Sequence, residues 1–238
     1  MNPALYLLEC YLKEFDAKVV TVTNGKFVVL DKTAFYPNSG GQPYDTGVLV
    51  RKSDDKEFKV VFVGKFGDNI SHEVDEGLNE GDEVTGKIDW ERRHMFMRLH
   101  TAAHILANVI LKETGAKITG NQLGLEKSRI DFSLENYDKE KFKEYVEKAN
   151  EVIAKKLSVT LTLVPLEEAK QILGDKFTTL AKGFSEDIKD VRIVDIKGFA
   201  KEACGGTHVK NIEEIGKIVG LKSDNKGKDR RRVYYTVE

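Results

Sequence analysis

A chain of 238 residues, 40% hydrophobic and 32% charged, can bury one large core or two modest ones. Its 38 Lys and Arg nearly balance 39 Asp and Glu, and a net charge of −1 excludes a global basic field of the kind that wraps nucleic acid. No apolar run approaches the ~18 residues of a membrane span, and two cysteines exclude a disulfide framework.

The first twenty residues, "MNPALYLLECYLKEFDAKVV", carry Glu9, Lys13, Glu14 and Asp16 within their apolar stretch, and lack the basic start and small-residue cleavage site of a signal peptide. A cytoplasmic protein is expected. In that reducing setting Cys10 and Cys204 are each a thiol, a metal ligand or a nucleophile.

Residues 1–88 read as β. "KVVTVTNGKFVVLD" places Asn24-Gly25 between two β-branched runs, a two-residue hairpin signal. "TGVLVRKSDDKEFKVVFVGKF" repeats the pattern around "SDDKE", and "NEGDEVTGKIDW" adds another turn and strand. Short strands at this spacing predict a small closed or nearly closed barrel. At Asp89 the period changes: "DWERRHMFMRLHTAAHILANVILKETG" has helical spacing and a stop at Gly115. "SRIDFSL" reads as a strand, and "YDKEKFKEYVEKANEVIAKKL" as a helix with Phe142, Tyr145, Val146, Ala149, Val152, Ile153 and Leu157 on one side. "VTLTLV" and "VRIVDI" are strands, "LEEAKQIL" is a short helix, and "GKIVGLKSDNKGKDRRRVYYTVE" is a closing hairpin. Without regular βα alternation, the expected class is α+β: a barrel over 1–88, then a domain over 89–238 built on a mostly antiparallel sheet.

Two of the five histidines, His100 and His104, stand four apart in "RLHTAAHIL", on one helical face and within reach of one ion. Alone, the pair is as readily structural, and Thr101 stands where a metalloprotease motif has its glutamate. In "EACGGTHVKN", Cys204 and His208 are also four apart, across Gly205-Gly206, which argue for a turn. Three imidazoles and a thiolate suit one tetrahedral Zn²⁺ per chain. "KGKDRRR", Lys226 to Arg232, and Arg92, Arg93 and Arg98 form two local basic clusters. Near-zero net charge limits them to a small footprint.

"HTAAH", "CGGTH", "AFYPNSGGQPYDTG" and the flanking "DWERRHMFMRLHTAAHIL", "SRIDFS" and "NKGKDRRRVYYTV" closely resemble the editing domain of alanyl-tRNA synthetase. Over almost its whole length the chain is similar to the freestanding AlaX class, in its medium-length form. The resemblance implies hydrolysis of an amino acid wrongly esterified to alanine tRNA, serine or glycine, in trans and at the acceptor end. It tilts the "PNSGGQPYDTG" loop from a wide turn towards the editing pocket, making Gly40, Gly41, Gln42 and Asp45 candidate substrate-binding residues. It puts a glutamine in the pocket, for which both Gln122 and Asn121 of "KITGNQLG" stand as candidates. Thr101 either meets a serine hydroxyl or back-bonds within its helix. A threonyl-type editing domain and a zinc-stapled RNA-binding module remain rival readings. No membrane and no obligate protein partner are implied.

Overall fold

The computed structural model describes residues 4–134, 139–174 and 189–238. The chain divides into two compact units, Met1–Met97 with Gln122–Gly124, and Arg98–Asn121 with Leu125–Glu238. The helix α1, Trp90–Thr114, contributes to both.

In the first unit six strands close into an antiparallel barrel: β1 (Glu14–Thr23), β2 (Phe27–Leu30), β3 (Gly47–Arg51), β4 (Glu57–Phe66), β5 (Asn69–Val74) and β6 (Glu83–Ile88), in the order β1-β2-β5-β4-β3-β6. Closure follows from period-two alternation. Phe15, Ala17 and Val19 of β1 point inward while Glu14, Asp16 and Lys18 face water. They meet Val28, Leu30, Leu49, Phe58, Val60 and Val84 in one core, and closure leaves no unpaired strand edge. The first hairpin turns through Asn24, Gly25 and Lys26, one residue more than the two-residue loop expected, with Thr23 paired to Phe27. Strand β5, "NISHEV", was not anticipated. Its central His72 is buried, and burial pushes its pKa down to about 4. The neutral ring therefore donates from Nδ1 to the Val28 carbonyl at 3.0 Å and accepts at Nε2 from the Thr33 hydroxyl at 2.8 Å.

The segment between β2 and β3 carries the glycine-rich loop. Gly40 and Gly41, at φ of 57° and 82°, form a tight turn that only glycine adopts readily, closed by reciprocal backbone hydrogen bonds between Ser39 and Gln42. A buried ion pair braces this loop: the Arg93 guanidinium bonds the Asp45 carboxylate and donates to the carbonyls of Cys10 and Ala34, while the Tyr36 amide donates to Asp45 at 2.6 Å. Arg93 and Asp45 are both 0% exposed.

In the second unit β7 (Lys117–Gln122), β8 (Ser128–Ser133), β12 (Ile218–Asn225) and β13 (Arg230–Val237) form a four-stranded sheet in the order β12-β13-β8-β7. Strands β9 (Val159–Pro165), β10 (Asp190–Ile196) and β11 (Ala200–Ala203) form a three-stranded antiparallel sheet in the order β11-β10-β9. Helix α2 (Lys139–Ile153) buries Phe142, Tyr145, Val146, Ala149, Val152 and Ile153 as expected and packs Phe142 and Val146 over Gly220 of β12, whereas Leu157 lies past its end and is half-buried. The Asn150 side-chain amide bonds both backbone groups of Ile218. Helix α3 (Leu166–Leu173) seats Ala169 and Leu173 on Val164, Val191 and Ile193. The α+β class and largely antiparallel pairing are those read from the sequence. Tyr137 and Asp138, at the start of the expected second helix, lie outside the described residues. Among the described residues no helix is long and apolar enough to cross a membrane.

Candidate metal centre

Helix α1 starts where the Asp89 carboxylate accepts the Arg92 amide and ends where the Gly115 amide returns to Leu111. Leu99, Ala102, Ala103, Ile105 and Leu106 are buried, so the turn carrying His100 and His104 lies deep in the second unit. The Tyr235 hydroxyl donates to the Leu99 carbonyl at 2.9 Å, fixing that turn against β13.

The second pair comes from the segment following β11. Arg192 of β10 secures it: one guanidinium nitrogen donates to the carbonyls of both Cys204 and Gly206, and the Cys204 amide returns to the Arg192 carbonyl. Neither Gly205 nor Gly206 adopts a positive φ, so the turn does not need glycine for its backbone. A side chain at Gly205 would point into open space.

The ligand atoms of His100, His104, Cys204 and His208 lie within 4.8 Å of one another. His100 Nε2 is 3.5 Å from Cys204 Sγ, and His208 Nε2 is 3.4 Å from it. A tetrahedral ion with nitrogen at about 2.0–2.1 Å and sulfur at about 2.3 Å needs ligand separations of about 3.3–3.6 Å. The two pairs that meet at Cys204 already have that spacing. These four residues could hold a metal ion.

Each of two rings is held from behind. Glu202 of β11 forms an ion pair with His104 Nδ1, which leaves Nε2 to face the cluster. Asn108 hydrogen-bonds Glu202 and donates to the His104 carbonyl at 2.9 Å. The Thr101 hydroxyl lies 3.1 Å from His208 Nδ1 and accepts the Val209 amide at 3.3 Å. Such partners fix ring orientation and tautomer for metal binding.

The charges follow. Burial opposes ionisation of Cys204, yet His100, His104 and His208 around it hold the thiol well below its usual pKa. Burial also opposes a charge on His104, but Glu202 and Cys204 outweigh it and push the ring up to about 10. Burial holds His208 well below the ordinary histidine range, helped by the neighbouring His100 and His104. Burial works against the Glu202 carboxylate, and His104 nonetheless keeps its pKa low. The Cys204 thiol and the Glu202 carboxylate are thus both held acidic, which suits the centre to a dication.

The other expected site residues take varied places. Thr101 is wholly buried and engaged with His208 and Val209. Gln122 is exposed and Asn121 half-buried at the end of β7, a strand absent from those expected. The amide of the next residue, Leu123, donates to the Gly41 carbonyl at 2.7 Å. Gly40 is exposed and Gly41 half-buried, whereas Gln42 and Asp45 are fully buried. Asp45 braces the loop through Arg93. The arginine cluster expected on α1 is occupied: Arg93 by Asp45, Arg98 by the Ile215 and Glu238 carbonyls, and Arg92 by the Tyr44 carbonyl and the rings of Tyr44 and Phe96. Sequence reasoning missed Glu202 and Arg192. The one available signal was an arginine inside the apolar run "VRIVDI".

A family model described as class II (A) tRNA synthetases matches residues 7–92, and one described as the threonyl and alanyl tRNA synthetase second additional domain matches residues 191–234. Over its full length the chain is 59% identical to a Methanosarcina barkeri protein named alanyl-tRNA editing protein AlaX-M, covering 99% of it. It is 45% identical to the protein of that name from Saccharolobus solfataricus, covering all of it. The alanine–tRNA ligase of Pyrococcus furiosus is 39% identical across 92% of this chain, which spans 24% of the ligase.

Proposed function

The chain belongs to the AlaX-M family of alanyl-tRNA editing proteins, and from that premise we propose that it is a trans-acting deacylase of alanine tRNA mischarged with serine, and with glycine, using one Zn²⁺ per chain. The observation that carries this reading is the cluster of His100, His104, Cys204 and His208, a mixed nitrogen and sulfur donor set at tetrahedral spacing. On this reading residues 1–88 are the barrel domain, residues 89–238 the editing domain, and the protein works in the cytoplasm on the tRNA acceptor end.

Held by His100, His104, Cys204 and His208, zinc would supply a Lewis acid for the ester carbonyl once one of the four ligands gave way to leave an open position. The chain's own residues do the rest. Glu202 keeps His104 Nε2 turned to the ligand set, and Thr101 does the same for His208. The Thr101 hydroxyl and the Gln122 amide are the groups proposed to meet a serine hydroxyl. Gly40 and Gly41 let substrate approach the backbone, with Asn121 adding a polar contact and the buried Gln42 and Asp45 holding the turn. The hydrogen bond between Leu123 and Gly41 supports treating this turn and the neighbouring Gln122 as parts of one apparatus.

Selectivity for serine over alanine must rest on polarity, because alanine is smaller than serine and fits wherever serine fits; glycine has no hydroxyl and needs a separate account. A buried donor or acceptor satisfied by the hydroxyl and left unpaired by a methyl discriminates more strongly than size does. The test is release of labelled amino acid from alanine tRNA carrying Ser, Gly or Ala. Seryl ester is expected to be hydrolysed at least about 100-fold faster than alanyl ester. A protein that binds metal and tRNA but releases no serine would instead be a zinc-stapled RNA-binding module.

Glu202 provides a second check. Glu202→Gln keeps the shape but removes the charge behind His104, so metal affinity should fall about 10–100-fold in competition with a chromophoric chelator. Unchanged affinity would remove Glu202 from the centre.

A further inference from the structure

The sheet β12-β13-β8-β7 has two chemically opposite faces. Arg231, Val233, Tyr235 and Val237 of β13 are buried, as are Ser128, Ile130 and Phe132 of β8. The alternate positions Arg230, Arg232 and Tyr234 point the other way. Their cross-strand partners share that side: Arg129 beside Tyr234 and Asp131 beside Arg232 on β8, with Lys222 and Asp224 opposite Tyr234 and Arg232 on β12.

This second face is basic around one aromatic ring. Lys222 Nζ lies 4.7 Å from the Tyr234 ring centroid and Lys127 Nζ lies 5.8 Å from it. Asp131 takes the Arg232 guanidinium at 2.5 and 2.8 Å and Arg129 at 3.4 Å, and Asp224 takes Lys222 at 3.2 Å. Two carboxylates thus stand among Lys127, Arg129, Lys222, Arg230 and Arg232, in a chain whose net charge is −1. The excess positive charge is local.

The other basic candidates serve the fold. Arg93 is in the buried pair with Asp45, Arg98 caps two carbonyls, and Arg231 holds the hairpin turn through Asn225, Gly227 and Lys228. We propose that the Tyr234 face of this sheet docks the tRNA phosphate backbone, its lysines and arginines replacing condensed counterions and the Tyr234 ring packing between them. The proposal rests on the reading of the protein as a tRNA deacylase, and it assigns that substrate a surface separate from the metal ligands.

The experiment measures binding of uncharged alanine tRNA by the full-length, zinc-loaded protein across a salt series. Lys127→Gln/Lys222→Gln/Arg230→Gln keeps side-chain bulk, and retained zinc content reports folding. The comparison variant, Lys32→Gln/Lys65→Gln/Lys87→Gln, changes net charge equally on the barrel. In the sheet variant Kd should rise at least about tenfold, and the plot of log Kd against log salt should flatten by about one unit per charge removed. Tyr234→Leu should raise Kd with little change in that slope. Wild-type affinity and slope in the sheet variant, or an equal loss in the barrel variant, would overturn the proposal. If the wild-type protein binds no tRNA at all, the functional reading itself falls.

Discussion

Cys204→Ala is expected to lower bound zinc from about one equivalent to near zero and to abolish serine release. The thiolate is where the cluster converges: His100 and His208 lie 3.5 and 3.4 Å from Sγ, and the Gly206 amide donates to it at 3.4 Å. Removing it takes away the negative charge that, with Glu202, holds His104 protonated and makes the pocket attractive to a dication. Structural zinc in zinc-finger peptides is bound by roughly 10–16 kcal/mol near neutral pH, and on that scale losing one of four ligands is a large perturbation. Cys204→Ser should fare little better, since a hydroxyl does not ionise near neutrality and is a harder ligand. The paired control is Cys10→Ala. Cys10 is buried and its Sγ donates to the Tyr6 carbonyl, so that variant should lose some stability and no metal. Metal analysis of the purified variants decides the matter. Full zinc content in Cys204→Ala with loss in Cys10→Ala would mean that the centre lies elsewhere.

Asp45→Ala should destabilise the protein by about 3–5 kcal/mol, the cost of leaving one partner of a buried ion pair behind. Arg93 is fully enclosed, and the carbonyls of Cys10 and Ala34 would be all that remains of its described partners. The Tyr36 amide would lose its acceptor as well. Replacing both charges, as Asp45→Ala/Arg93→Met, should be milder than the single change, because an apolar pair leaves no stranded charge. Urea denaturation of the wild type, Asp45→Ala, Arg93→Met and the double variant measures this coupling. The functional signature is separate: the Asp45 variant should keep its zinc while serine release falls, since the Gly40–Gly41 turn loses its brace. A shift under about 0.5 kcal/mol for Asp45→Ala would show that the pair contributes little.

The sequence could be read wherever a local rule was sufficient. Spacing of four on a helix puts His100 and His104 together, and a Cys–His pair four apart in a turn finds them across the fold. The barrel followed from alternation, and α1 from its period and its stop at Gly115. What escaped depends on pairing between distant positions. Glu202 is an ordinary strand glutamate until His104, 98 positions earlier, faces it. Arg93 reads as a tRNA contact beside Arg92 and Arg98, because nothing local reveals that Asp45 neutralises it. Strand β7 was missed since its residues are mostly exposed and include Gly120 and Asn121, which carry no alternation. The basic hairpin shows its charge and its tyrosines in sequence but not their pairing, because Tyr234 acquires its two lysines from β12 and from the segment before β8.

Helix α1 counts with the barrel up to Met97 and with the sheets from Arg98 onward. The change of composition at Asp89 suggests a place to sever the gene, yet a cut there strands an ion on each product. A fragment beginning at Asp89 carries the Arg93 guanidinium away from its carboxylate, and one ending at Ile88 leaves Asp45 without its counter-charge, held by the Tyr36 amide alone among the partners described. Each piece must then unfold locally or flood that site with water. The charge balance of the barrel therefore depends on the first turn of a helix whose later turns belong to the other unit.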